Sequence, residues 1–135
     1  ILRVRLRHLA EDNRRRGEIA ARYSAAIGRH RRADERELRA PWLAPDVDAV
    51  WHLYVVRSRQ RDALAARLQQ AGIATMVHYP MPIHCQPAYG GDANRGAMPH
   101  AERACAEVLS LPIYPEIADD EVARVCAAIE NDLGS

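Results

Sequence analysis

The chain has 135 residues, enough for one domain with a hydrophobic core of its own. Hydrophobic residues make up 48% and charged residues 27% of it, a balance typical of a soluble globular protein that excludes a wholly disordered or fibrous chain. The 19 basic and 18 acidic residues leave a net charge of +1, so the composition predicts neither a nucleic-acid nor a membrane partner.

Every basic residue other than histidine is an arginine, and most of the arginines crowd the first forty positions. Such a charge run usually forms a solvated helix face, and we prefer that interpretation to contact with nucleic acid or phosphate. The three cysteines are widely spaced and include no C-x-x-C pair, so neither a disulfide framework nor a standard zinc knuckle is predicted.

The next question is whether the sequence contains a membrane-spanning run or a secretory signal. No apolar run approaches the roughly 20 residues that span a bilayer, and the first residues do not form a secretory signal. We therefore expect a cytoplasmic protein. The helical pattern starts at Ile1 without a capping residue, which suggests a chain cut from a longer one.

The first predicted element is one long amphipathic helix over residues 1–28, because apolar or small residues recur there at spacings of three and four. Its apolar stripe is narrow and interrupted by arginines, so we expect much of the helix to be exposed unless it lies against another domain or subunit. A charged segment at 30–38, followed by Pro41 and Pro45, predicts a connector.

Two strands with a helix between them are predicted next. The aromatic and β-branched run at 51–56 predicts a strand, a helical pattern covers 59–72, and 73–77 has the composition of a second strand. Alternation with a period of two predicts one set of core residues on the sheet, namely Trp51, Leu53, Val55, Leu109, Leu111 and Ile113.

The remainder combines a long loop with two helices. Prolines and glycines without periodicity make 78–96 a loop, and long loops in compact domains are usually functional. Pro99 suits the first turn of a helix, residues 109–115 are extended, and a last helix begins near Asp119. This order predicts a small α+β domain in which helices cover one face of a short sheet.

Three stretches together resemble the DegT/DnrJ/StrS family of sugar aminotransferases. They are WHLYVVR at 51–57, GIATMVHYPMPIHCQPAY at 72–89 and AERACAEVLSLPIYPE at 101–116. The segment 2–23 is also similar to the long interdomain helix of that family. The similarity follows the family's order along nearly the whole chain, which makes it more specific than any single short motif.

The resemblance implies the C-terminal small domain of the aspartate-aminotransferase-type architecture, fold type I. Residues 1–40 would be the interdomain helix and charged connector, residues 41–135 the small α+β domain, and a large domain binding pyridoxal phosphate would lie upstream of Ile1. The implied reaction moves an amino group from an amino acid, usually glutamate, to a keto sugar attached to a nucleotide. The full-length enzyme is expected to be a homodimer.

That reaction needs a lysine, and this chain has none. The neutral amine of lysine forms the Schiff base with pyridoxal phosphate, whereas an arginine stays protonated and is a poor nucleophile. No catalytic or cofactor-binding residue is therefore predicted here, and the chain alone is expected to be inactive.

The resemblance suggests that the loop faces the mouth of the active site. Because prolines fix the loop's shape in advance, its polar and aromatic side chains would meet a sugar nucleotide at a lower ordering cost. The predicted substrate-binding residues are His78, Tyr79, His84, Gln86 and Tyr89.

Three alternatives remain open. The loop histidines are structural in one of them, and in another the chain is a non-catalytic module or remnant that holds a nucleotide or a partner. The third is a metal site at His78, His84, Cys85 and His100, but this spacing fits no standard zinc pattern and no metal is predicted. Arg57, at the end of the first strand, is expected to pair with a surface acid rather than to reach a phosphate.

Overall fold

A computed structural model describes residues 2–29 and 38–134. Its helices and strands, in chain order, are α1 (Leu2–Arg5), α2 (Leu9–Gly28), β1 (Tyr54–Arg57), α3 (Arg61–Gln70), α4 (Pro99–Glu107), β2 (Val108–Leu111) and α5 (Asp119–Gly134). The predicted α+β class is confirmed. Among these helices, none combines the length and the apolar character needed to cross a bilayer.

The sheet is small. β1 and β2 form an antiparallel pair along their whole lengths, and single bridges widen the sheet where Arg39 pairs with Arg57 and Met76 pairs with Ser110. The strand predicted at 73–77 is therefore wrong, since only Met76 joins the sheet. The prolines of the following loop have no N–H with which to continue a ladder.

The buried face of β1 carries Tyr54 and Val56, which are fully enclosed, whereas Leu53 is 37% exposed. The inward face predicted at Leu53 and Val55 is thus wrong by one residue, a shift that exchanges the two faces of a strand, whereas Trp51 and Ile113 pack against the core as predicted. A partner outside the sheet decides the outcome, because the ring of Tyr54 lies edge-on to that of Tyr23 in α2, with 5.3 Å between centroids. On β2 the prediction is confirmed by the burial of Leu109 and Leu111.

Helices α2 and α5 pack together over the sheet. The Tyr23 hydroxyl donates to the carbonyl of Pro112 at 2.9 Å, and the Tyr54 hydroxyl shares a 2.7 Å hydrogen bond with Ser24. Burial raises the pKa of both phenols, so both stay neutral. The two helices and the strands share one core, whose helical members include Ile19, Ala20, Tyr23, Ile27, Val122, Val125 and Ile129.

The single helix predicted over 1–28 is interrupted at residues 6–8. There the N–H groups of Arg7 and Leu9 reach back only three residues, at 3.2 Å and 3.4 Å, instead of four. Val4 and Leu6 are 58% and 62% exposed, so no apolar packing holds this part in one long helix. A helical segment without such packing is marginal in water, and the expected exposure of this end is confirmed.

Three arginines spaced seven residues apart, two on α2 and one directly after its last residue, reach α5. Arg15 and Arg22 hydrogen-bond the Asp119 carboxylate at 3.0 Å and 2.7 Å, and Arg29 pairs with Glu130 at 2.8 Å. The interpretation of the arginines as a solvated face is therefore only partly right, since the Arg15 side chain is 23% exposed. These contacts fix the first turn of α5 to α2.

The Asp119 contacts predict a pH-dependent stability. Hydrogen bonds from Arg15 lower the pKa of this carboxyl below its usual value. A group whose pKa is lowered by folding stabilises the fold above its unfolded-state pKa, and this contribution is lost as the pH falls through the folded-state pKa. We expect Asp119→Asn to lower the thermal midpoint near pH 7 and the difference from the parent chain to vanish by about pH 2.

Asp120→Asn is the matched control, because Asp120 lies in the same helical turn and makes no ion pair with a described residue. It removes only the interaction of a carboxylate with the helix N-terminus, so its effect should be smaller. Equal effects of the two variants on the thermal midpoint would contradict the role given to Arg15 and Arg22.

Candidate functional site

The predicted loop is a folded-back segment with fixed geometry. It leaves the sheet after Met76, passes through three short 3-10 turns, Ile83–Cys85, Pro87–Tyr89 and Gly91–Asn94, and enters α4 at Pro99. The Gly91 N–H closes onto the carbonyl of Gln86 at 3.1 Å, which ties the second and third turns together. The predicted residues are thus carried on one continuous structured segment.

His78 is anchored to the sheet. Its Nδ1 shares a 2.9 Å hydrogen bond with the hydroxyl of Ser110, a buried residue of β2. The imidazole also lies edge-on to the ring of Tyr79, with 5.6 Å between centroids, and the peptide bond joining the two residues is cis. The sheet therefore fixes one ring nitrogen of His78 and the start of the loop.

His84 is anchored to α4 by Glu102. Its Nε2 lies 3.0 Å from the Glu102 carboxylate, and the two side chains are only 13% and 21% exposed. The same carboxylate oxygen accepts the N–H of Gly96 at 2.8 Å and the N–H of Met98 at 3.4 Å. The hydrogen bond with His84, helped by these two N–H groups, holds the pKa of Glu102 below its usual value. This carboxylate therefore joins the first 3-10 turn of the loop to the end of the loop and the start of α4.

Asn94 and Gly90 complete the bracing. The side-chain amide of Asn94 donates to the carbonyl of His84 at 3.1 Å and also to the carbonyl of Tyr89. Gly90 has φ +106°, and a Cβ placed on it would come within 2.8 Å of the Asn94 amide nitrogen. Glycine is favoured here because it adopts the left-handed backbone without strain, and any larger residue would also displace the Asn94 amide.

The two tyrosines point a different way from the histidines. Tyr79 is 72% exposed and Tyr89 is 61% exposed, whereas His84 is largely enclosed, and Gln86 is intermediate. The loop thus presents phenol rings to the outside while its imidazoles hold it to the sheet and to α4. Exposed apolar side chains accompany the rings: Met76, Met81, Ile83 and Met98.

Ligand atoms of His84, Cys85 and Glu102 lie within 4.8 Å of one another. This group shares two residues with the metal site weighed from the sequence, and Glu102 takes the place of the other two histidines. The Glu102 carboxylate already accepts hydrogen bonds from His84 and two backbone N–H groups, which gives it a structural role in the loop.

Three residues that hold the loop, Glu102, Asn94 and Ser110, were not predicted from the sequence. Glu102 lies in the first turn of α4, but the helix begins after Met98 and has no Ser, Thr, Asp or Asn three residues before Glu102, so the sequence shows no capping-box pattern there. Asn94 and Ser110 had no local pattern either, because their partners come from positions 5 to 32 residues away.

The comparisons with known proteins decide the family. A family model described as the DegT/DnrJ/EryC1/StrS aminotransferase family matches residues 1–130. The chain belongs to this family. Its members include a dTDP-3-amino-3,4,6-trideoxy-alpha-D-glucose transaminase of Streptomyces venezuelae, which is 42% identical over 130 residues, 96% of this chain and 33% of the relative.

Two further relatives show the range of the aminotransferase family. The erythromycin biosynthesis sensory transduction protein EryC1 of Saccharopolyspora erythraea is 38% identical, over 96% of this chain and 34% of its own length. The solved structure of S. venezuelae DesV in complex with a ketimine intermediate superposes with a TM-score of 0.88 at 41% identity, over 99% of this chain and 35% of that one. The chain spans about a third of the length of the relatives that it matches.

Pyridoxal phosphate is the cofactor that this family implies, and structural relatives carry it or its pyridoxamine form. The residues of this chain do not fit its covalent attachment. All 19 of the Lys and Arg positions are arginine, so no side-chain amine is present to form the Schiff base. No chemical step through the cofactor is therefore assigned to these residues.

Replacing Glu102 tests the bracing of the loop. Glu102→Gln keeps the size of the side chain and removes its charge, which weakens hydrogen bonds to the carboxylate. We expect hydrogen exchange at the Gly96 amide to become roughly tenfold faster. Glu116→Gln, an exposed control outside the loop, should leave this rate unchanged, and an unchanged rate in Glu102→Gln would contradict the role given to Glu102.

Two glycine substitutions should have opposite effects on stability. Gly90→Ala forces a side chain into a left-handed backbone and against Asn94, and we expect a loss of about 1–3 kcal/mol in the free energy of unfolding. In Gly17→Ala the new Cβ meets no described atom within 4 Å, and the change should gain about 0.5–1 kcal/mol because alanine favours the α2 helix. Chemical denaturation measures both, and a shift of the same sign in the two variants would contradict the roles given to these glycines.

Proposed function

We propose that this chain is the C-terminal small domain of a pyridoxal-phosphate-dependent aminotransferase that acts on a nucleotide-linked keto sugar. The amino donor is an amino acid, with glutamate as the first candidate. The family match over residues 1–130 supports this proposal, as does the transaminase name of the S. venezuelae relative. In this proposal residues 1–40 form the interdomain helix and connector, and residues 41–135 form the closing domain.

The loop is the part of the domain that we expect to meet the substrate. The observation that carries this role is the double anchoring of its histidines, to Ser110 and to Glu102, while Tyr79 and Tyr89 remain exposed. A pre-ordered surface with exposed phenols suits a sugar nucleotide, because tyrosine offers a ring for apolar faces and a hydroxyl for polar groups. Binding would then cost little conformational entropy in the loop.

His78, His84 and Gln86 have supporting roles in this proposal. His78 and His84 each use one ring nitrogen to hold the loop, which leaves the other nitrogen of each ring available for a hydrogen bond to substrate. Within the described part of the chain, Gln86 forms its hydrogen bonds through backbone groups, so its side-chain amide is available to substrate as well. Lysine chemistry must come from sequence outside these 135 residues.

The assay runs on the polypeptide as its gene encodes it. The test substrate is dTDP-3-amino-3,4,6-trideoxy-alpha-D-glucose with 2-oxoglutarate, so that transamination is followed in reverse by glutamate formation. Tyr79→Phe and Tyr89→Phe each remove one hydroxyl, and we expect KM for the nucleotide sugar to rise about three- to tenfold. Tyr114→Phe, an exposed tyrosine outside the loop, is the matched control.

Unchanged KM values in both loop variants would overturn the assignment of the loop. An absence of glutamate formation with every amino acid and nucleotide sugar tried would overturn the aminotransferase assignment itself. A homodimer and a cytoplasmic location are further parts of the proposal, checked by sedimentation of the complete polypeptide and by cell fractionation.

A second candidate function is a non-catalytic module that holds a nucleotide or a partner. This candidate is supported by the name of the 38% identical relative, which describes a sensory transduction protein. In that case the complete polypeptide would bind a nucleotide sugar through the loop, with Tyr79→Phe weakening the binding, and would transfer no amino group. Calorimetry beside the turnover assay separates the two candidates.

A further inference from the structure

A pocket with a volume of about 200 Å³ lies at the end of the sheet where β1 finishes and β2 begins. We call it the arginine pocket. It is smaller than the 300–1,000 Å³ of typical sites for drug-sized ligands, so it has room for a small group and not for a whole nucleotide. The lining side chains are Arg39, Arg57, Arg59, His100, Arg103 and Glu107.

The fold brings the first two arginines together. Arg39 and Arg57 form an antiparallel bridge with backbone hydrogen bonds of 2.8 Å and 3.0 Å in both directions. Directly opposed residues in such a pair place their side chains on the same face, where like charges destabilise the pairing. This arrangement places two guanidinium side chains at the rim of the pocket.

Helix α4 supplies the opposite wall. His100, Arg103 and Glu107 are spaced by three and four residues, so they share one face of the helix. The carbonyl of Glu107 accepts the N–H of Ser58 at 2.9 Å, which locks the end of α4 beside the end of β1. Both walls of the pocket are therefore held by backbone contacts rather than by mobile side chains.

Among the described residues that line the pocket, positive charge exceeds negative charge. Glu107 is the single carboxylate among the described lining residues, and it is already bonded to Arg57 at 2.6 Å. Arg59 and Arg103 make no ion pair with a described residue. In addition, the Nε of Arg57 is enclosed and has no acceptor among the described residues, although buried donors are normally paired.

The pairing of Arg57 with an acid was expected from the sequence and is confirmed, and it leaves Arg59 and Arg103 without an ion pair to a described residue. Guanidinium groups are planar donors whose fork matches the oxygens of phosphate, and clustered arginines are the usual way to bind that group. A metal cation is disfavoured by the same charges.

We propose that the arginine pocket binds a phosphate-class anion, either free or as the end group of a larger molecule. This inference goes beyond the function proposed above and uses different residues. Glu102, which holds the loop through His84, lies on another face of α4 from Arg103. None of the lining residues belongs to the set predicted to contact the nucleotide sugar.

Isothermal titration calorimetry of the polypeptide as its gene encodes it provides the test. The titrants are pyrophosphate, inorganic phosphate and glucose 1-phosphate, at constant ionic strength with chloride as the balancing anion. We expect binding of at least one of them, weakened at least tenfold in Arg59→Gln/Arg103→Gln, because each lost guanidinium removes a charge-assisted hydrogen bond. Arg124→Gln, an exposed arginine on α5, is the matched control and should bind as the parent does.

The outcomes separate the sources and the proposals. Tighter binding of the inorganic anions points to a free ion, and tighter binding of glucose 1-phosphate points to a phosphorylated sugar, and both support the pocket. The proposal is overturned if no anion binds to the parent, if the double variant binds equally well, or if the anion competes with the nucleotide sugar in the transamination assay. If the parent polypeptide binds pyrophosphate but transfers no amino group, that result would count against the proposed function alone.

Thermal unfolding keeps this test interpretable. The double variant changes two exposed side chains, so its thermal midpoint should stay close to that of Arg124→Gln. Pyrophosphate should raise the midpoint of the parent and of Arg124→Gln, and it should raise that of the double variant less. An equal rise of the thermal midpoint in the parent, in Arg124→Gln and in the double variant would overturn the proposal, even if calorimetry detected no binding heat.

Discussion

The structure depends on one contact between layers, the packing of Tyr23 from α2 against Tyr54 from β1. Both rings are fully enclosed, and each hydroxyl has a partner, Pro112 for one and Ser24 for the other. This pair sets which face of the two-stranded sheet is covered, and a sheet this small cannot set it alone. Helix α5 packs against α2 over the same face and completes the core.

The loop inherits its shape from that frame. Ser110 is held in the sheet between β1 and Met76, and it holds His78 in turn. At its other end the loop is fixed by Glu102, which lies one turn into α4 and gathers His84 and two backbone N–H groups. A few hydrogen bonds thus turn a proline- and glycine-rich segment into a surface with a defined conformation, as a binding loop requires.

Arginine is the basic residue used throughout the sequence, apart from the histidines. On α2 it fastens the start of α5 through Asp119, whose carboxylate accepts hydrogen bonds from Arg15 and Arg22. At the end of β1 the balance is reversed, because Glu107 is the one carboxylate among the described residues that line the arginine pocket. The same side chain therefore braces the fold in one place and, among the described residues, leaves positive charge in excess in another.

The sequence alone was enough to indicate the family, the α+β class, the presence of most helices and the extent of the loop. Motif order, helical spacing and prolines are local properties of the chain, so they can be read without the fold. The absence of lysine likewise settled from the sequence which chemistry this chain lacks. The inward face of β1, the break after Arg5 and the fate of residues 73–77 were decided by the tertiary structure, since each depends on whether a distant surface packs there. The tertiary structure also decided the roles of Glu102 and Ser110 and brought the arginines together. Hydrogen bonds and charges from separate segments meet only after the chain has folded.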